Sequence, residues 1–123
     1  MSRDGVLYAK DGAKLLQWPA GKQGTAVIPD GVTAIEDWAF SDCKLTGLVI
    51  PDSVSTFGWG VFSNNELESV TLPDNLTVIA DAMFLGNRLA SITIPNSVTA
   101  IEQYAFAGND ITSIELSRKP YLP

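Results

Sequence analysis

The chain has no histidine and a single cysteine, Cys43. Ser-His-Asp and Cys-His nucleophile systems, His-ligated zinc and imidazole pH switches all need a side chain it lacks. One thiol forms neither an internal disulfide nor a cysteine metal cluster. No basic cluster beside Cys43 favours its thiolate, which gives it a structural place and not a reactive one. Carboxylates remain. Asp30, Asp52 and Asp74 recur every 22 residues, and stacked acids are the donors calcium takes. The other ligands of such a site are not evident. Backbone amides in the turn after each proline are the expected partners of these acids. Acid–base catalysis by paired carboxylates needs a cleft in which they converge, and none is evident. The sequence reads as a non-enzyme, with no catalytic residue, no metal and no cofactor. Three aromatics in polar surroundings, Trp38, Trp59 and Tyr104, offer a different chemistry: stacking on a sugar ring or anchoring a protein contact. The plainer role for Trp38 and Tyr104, which share a repeat column, is packing against the next turn.

What must position these residues is a repeat. Prolines stand at 29, 51, 73 and 95. The units are PDGVTAIEDWAFSDCKLTGLVI (29–50), PDSVSTFGWGVFSNNELESVTL (51–72), PDNLTVIADAMFLGNRLASITI (73–94) and PNSVTAIEQYAFAGNDITSIEL (95–116). They align without gaps, and 24–28 matches the end of a unit. Fixed apolar columns run through them, among them Val32/Val54/Leu76/Val98, Phe40/Phe62/Phe84/Phe106 and Leu45/Leu67/Leu89/Ile111. One unit buries too little alone. Stacking gives each apolar residue a like neighbour and builds one continuous core.

Within a unit, Gly47-Leu48-Val49-Ile50 and Ser91-Ile92-Thr93-Ile94 alternate outward and inward, the period of a half-buried strand. Proline ends each strand. Residues 36–41, 58–63, 80–85 and 102–107 have helical spacing and are expected to form one α or 3₁₀ turn per unit. The fold class expected is an α/β solenoid of 22-residue repeats, with a parallel sheet on one face and short helical turns on the other. Asn65, Asn87 and Asn109 are placed to form an amide ladder between units. Lys44, Glu66, Arg88 and Asp110 alternate in sign along the stack and would form ion pairs that oppose slippage. Asp11-Gly12 between two apolar stretches signals a hairpin, with Tyr8, Leu15, Leu16 and Trp18 as a lid on the first unit. The whole chain, 1–123, is then one domain. It divides into a hairpin cap and connection (1–23), a partial repeat (24–28), four repeats (29–50, 51–72, 73–94 and 95–116) and a tail (117–123). Tyr121 and Leu122 of the tail could fold over Ile111, Ile114 and Leu116.

Net charge is −6, unevenly spread. Residues 1–28 sum to +2 and residues 29–116 to −10. An acidic body does not neutralise phosphates or anionic lipid, so nucleic acid and membrane insertion are not expected. The first residues lack an apolar core and a cleavage site, so no signal peptide is expected in this chain.

The text Ile-Pro-Asn-Ser-Val-Thr-Ala-Ile (94–101), followed by Tyr-Ala-Phe-Ala-Gly-Asn (104–109), resembles the BspA-like leucine-rich repeat, or Treponema pallidum type. The resemblance spans residues 24–116, and the opening GVLYAKDGAKLLQWPAGKQGTAVIP resembles the family's lead-in. The unit is one residue shorter than the family's more usual one, and the family's cysteine in the asparagine column survives only as Cys43. The resemblance implies a right-handed leucine-rich-repeat solenoid in a secreted or surface-exposed, extracellular protein that binds proteins or adheres. It implies no catalytic residues. The expected ligand surface is the outward sheet face: Thr25, Val27, Val49, Ser69, Thr71, Ser91, Thr93, Ser113 and Glu115. Its partner would be a protein or a glycan. Trp38, Trp59 and Tyr104 are the alternative surface. A structural spacer, self-associating through the thinly capped C-terminal end, is the alternative function.

Overall fold

The computed structural model describes residues 2–116. Its strands are β1 (Ser2–Arg3), β2 (Val6–Tyr8), β3 (Lys14–Gln17), β4 (Gly24–Val27), β5 (Ala34–Ile35), β6 (Leu45–Val49), β7 (Thr56–Phe57), β8 (Val78–Ile79), β9 (Ser91–Ile94), β10 (Ala100–Ile101) and β11 (Ser113–Leu116). Each coil of the chain contributes to two faces. On one face β3, β5 and β7 pair in parallel, and β8 pairs with β10. On the other, the main sheet, β4 pairs with β6 and β9 with β11. Registers advance by the repeat: Ala26 opposite Leu48, and Ile92 opposite Ile114. Residues 69–70 form no strand; that coil meets β6 through the Glu66 amide on the Leu45 carbonyl and the bridge of Val49 to Thr71.

The repeat columns point inward. Phe40, Phe62 and Phe84 are fully buried, as are Leu45, Leu67 and Leu89. The Phe rings follow one another at centroid distances of 5.1, 5.6 and 5.8 Å from Phe40 to Phe106. Trp18 heads this column, stacked on Phe40 at 5.0 Å. At the N-terminal end β2 and β3 form an antiparallel hairpin, and β1 adds a third strand through the Asp4-Gly5 turn. Tyr8, Leu15 and Trp18 are buried beneath it, while Leu16 is half-buried. In the last described coil Phe106 and Ile111 of these columns are half-buried, and Ile101, Ile114 and Leu116 are exposed. The expected fold-back of Tyr121 and Leu122 lies outside the described residues.

The expected helical turns do not form. The fold is a β-solenoid, not an α/β one, and no residue among those described is helical. The cause lies in one column. Trp38, Gly60, Ala82 and Tyr104 all have left-handed backbone, with φ of 60°, 57°, 55° and 62°. Such a residue stops a right-handed helix after one turn. Amides then alternate between two partners. Ala39, Ser41, Met83 and Leu85 donate three residues back, to Glu36, Trp38, Ala80 and Ala82. Trp38, Phe40, Phe62 and Phe84 donate to the next coil, at Trp59, Val61, Met83 and Ala105. The third side is therefore also stitched between coils, through turns.

Two further expectations change. No hydrogen bond among the described residues reaches the carboxylates of Asp30, Asp52 or Asp74, which are exposed. Of the charge ladder, Arg88 meets Glu66 at 4.0 Å. Lys44 makes no ion pair among the described residues. Its backbone alone in that column is left-handed, with φ of 56°. A pair not foreseen, Lys14 with Glu36, forms at 3.3 Å.

Candidate functional site: the main sheet face

Strand alternation sends every second residue of the main sheet to solvent. Thr25, Ser69, Ser91 and Ser113 are exposed, as are Val27, Val49, Thr71, Thr93 and Glu115. Pairing registers bring them into two lines. Thr25 lies opposite Gly47 and Ser91 opposite Ser113. Val27 lies opposite Val49, Val49 bridges to Thr71, and Thr93 lies opposite Glu115. Eight of the nine residues expected to form the surface are placed by these pairings; Ser69 is exposed but lies in no strand or bridge. Val27 and Val49 are 58% and 49% exposed, an apolar step on an otherwise hydroxyl-rich surface.

The face is not flat. Around Thr71, between the strand ends and the proline turns of successive coils, two hollows open. One, of about 390 Å³, is bounded by Val49, Thr71, Pro73, Asp52 and Asp74. The next, of about 270 Å³, shares Thr71 and Asp74 and reaches Thr93 and Pro95. Together they make a shallow furrow. Hydroxyl and apolar side chains form its sheet wall, and the proline turns with their free carboxylates form its rim. The aspartate column signalled this rim in the sequence. The lapse of strand at 69–70 had no sequence signal, because Ser69 and Val70 fit the strand pattern.

The aromatic residues divide. Trp38 lies across Gly60 of the next coil, where a side chain would collide with the indole ring. Trp59, beside Gly60 in sequence, is 58% exposed, and its amide donates to Oδ1 of Asp37 at 2.8 Å. Trp38 and Trp59 are therefore on adjacent coils. Tyr104 is 63% exposed on the last described coil and does not join them.

Cys43 is buried. Its thiol donates to the Trp18 carbonyl at 3.4 Å, the place that the amide of Asn65 takes at Phe40 one coil later. Burial, then the nearby Asp42 carboxylate, pushes its pKa above the ordinary thiol value. That arrangement suppresses nucleophilicity. Among the described residues, no group of three Cys, Asp or Glu side chains could hold a metal ion.

The repeat is matched by the model of the BspA-type leucine-rich-repeat region, in six copies over residues 22–120. The chain belongs to the BspA-type leucine-rich-repeat family. Its fold is similar to the crystal structure of a leucine-rich cell surface protein from Faecalibacterium prausnitzii A2-165, with a TM-score of 0.82 and 28% sequence identity. The likeness covers 95% of this chain and 39% of that one, so this chain spans well under half of its neighbour. No curated protein matches the sequence. No helix among the described residues is long and apolar enough to cross a membrane.

Proposed function

We propose that this BspA-type chain is a non-catalytic protein-binding or adhesion module of a cell-surface or secreted protein, and that its ligand lies on the main sheet face. The observation that carries this reading is the furrow around Thr71, bounded by exposed Val49 and Thr93 and rimmed by Asp52 and Asp74. A repeating face of small side chains lets a partner approach the backbone, and the apolar step at Val27 and Val49 gives it something to bury. Extracellular placement rests on the cell-surface neighbour and on the family. A protein is the favoured ligand class and a glycan the alternative.

The test is a binding screen of the chain against immobilised surface proteins and a glycan array, repeated with Thr71→Arg and Ser91→Arg. Loss of at least about tenfold in affinity would support the face, that being the size of one hot-spot contact. If both variants bind like the parent and Trp38→Ala or Trp59→Ala loses binding, the aromatic surface carries the function instead.

A second reading has its own observation. Ile101, Ile114 and Leu116 leave apolar surface on the last described coil, and an unpaired parallel edge recruits strands. A spacer that self-associates through this end would show a mass rising above 13.2 kDa in light scattering over roughly a hundredfold range of concentration. A constant mass would remove that reading.

A further inference from the structure

The two faces of the solenoid end differently at the N-terminus. On the face built from β3, β5 and β7, two more strands continue outward, β2 and then β1. On the main sheet no strand among the described residues lies outside β4, which pairs there only with β6. The main sheet therefore lacks the strand that would stand level with β2. In its place is an open groove of about 370 Å³.

The backbone along this groove is poised for pairing. In a parallel ladder, successive residues direct their N–H and C=O groups to alternate sides. The Ile28 amide donates to the Val49 carbonyl at 3.1 Å. Ala26 and Ile28 are thus turned to β6, and Thr25 and Val27 direct their amides and carbonyls outward. No hydrogen bond from the cap reaches them among the described residues. Both line the groove, whose other walls are Asp4, Val6, Tyr8 and Trp18. Lys22 stands at its lip, its ammonium 5.8 Å from the Trp18 ring centroid and in no ion pair among the described residues.

We propose that this groove is a strand-addition site, in which an extended acidic segment of a partner protein pairs with β4 through the backbone of Thr25 and Val27. The spacing of outward donors and acceptors selects an extended peptide over a globular surface or a sugar. The side chains of Val6, Tyr8 and Trp18 accept alternate apolar side chains, and Lys22, in a stretch of 28 residues that stays net positive with Asp4 counted, accepts a carboxylate. A second copy is a poorer occupant. Its last coil would bring a second face with it, and β2 and β1 already fill that side. The site shares Thr25 and Val27 with the outward sheet face but none of the residues lining the furrow at Thr71, and it stands or falls without that furrow.

The probe is the acetylated, amidated hexapeptide Val-Thr-Val-Glu-Val-Thr, titrated into the nitrogen-15-labelled chain. Two control peptides replace Glu by Lys or carry N-methyl groups on alternate residues. Saturable shifts at the Thr25 and Val27 amides, with slowed hydrogen exchange there, are expected from the Glu peptide. N-methylation on the pairing edge should abolish them. Val27→Pro removes an outward donor while sparing the ladder to β6, and should abolish pairing with the thermal midpoint kept. Should that variant not fold, Lys22→Glu, a surface change, is expected to weaken the Glu peptide about tenfold and favour the Lys peptide. Equal binding of the N-methylated peptide, shifts centred on Val49 and Thr71, or no saturation in the millimolar range would each overturn the proposal.

Discussion

The side chain of Asn65 spans two coils: its Nδ2 donates to the Phe40 carbonyl at 2.8 Å, 25 residues upstream. Its Oδ1 accepts from the amides of Cys43 and Leu45 at 3.1 and 3.0 Å. Asn87 repeats the arrangement, accepting from Leu67 at 3.0 Å and donating to Phe62 and Phe84. Both side chains are buried, so each bond replaces water that is absent. Asn87→Ala strands the Leu67 amide and takes one of two amide donors from the Phe62 and Phe84 carbonyls, which Asn65 and Asn109 still reach, and is expected to cost roughly 1–3 kcal/mol in urea unfolding. A cost below that of an ordinary surface substitution would show that the ladder is dispensable.

The phenylalanine column makes a graded expectation. Phe84 is fully buried between Phe62 and Phe106. Phe84→Ala is expected to destabilise by about 3–5 kcal/mol. Phe106 is only half-buried, so Phe106→Ala should cost clearly less. Equal costs would mean that the last coil is covered as fully as the middle one.

Proline and phenylalanine at constant spacing made the stack, its register and its inward columns legible. The strand alternation also identified the outward face, because two-residue periodicity needs only side-chain type. What escaped was set by backbone. Of the left-handed column only Gly60 has the residue type that signals φ above zero; Trp38, Ala82 and Tyr104 do not. Trp18 stands 22 residues before Phe40, the spacing of the repeat, yet its different residue type and its place in a segment that reads as a hairpin cap hid its position at the head of the Phe column. The open edge of β4 follows from topology, since β1–β3 extend one face and not the other.

Gly60 illustrates a double constraint. Its left-handed backbone disfavours any side chain, and Trp38 occupies the space a Cβ would need. Ala82 holds the same conformation one coil on, so the backbone term alone is tolerable, at about 1 kcal/mol. Gly60→Ala is expected to cost about 2–3 kcal/mol, the excess coming from displacing the indole. In a Trp38→Ala background the same change should fall to the backbone term. A double-mutant cycle measures the difference, and full additivity would mean that Trp38 does not rest on Gly60 in solution.

Cys43 gives a pH dependence with a definite sign. Burial and Asp42 favour the neutral thiol in the folded state, raising its pKa from 9.0. The unfolded chain, with the ordinary value, releases its proton first. The stabilisation is therefore fully present below about pH 8 and is lost as pH rises through 9 and beyond. Chemical unfolding of the parent chain should weaken over that window, and Cys43→Ala should lose that component while paying a constant packing cost. The same burial predicts slow alkylation by iodoacetamide at pH 8 in the folded protein and fast alkylation in urea. Rapid modification of the folded chain would contradict a thiol held between the Trp18 and Ser41 carbonyls.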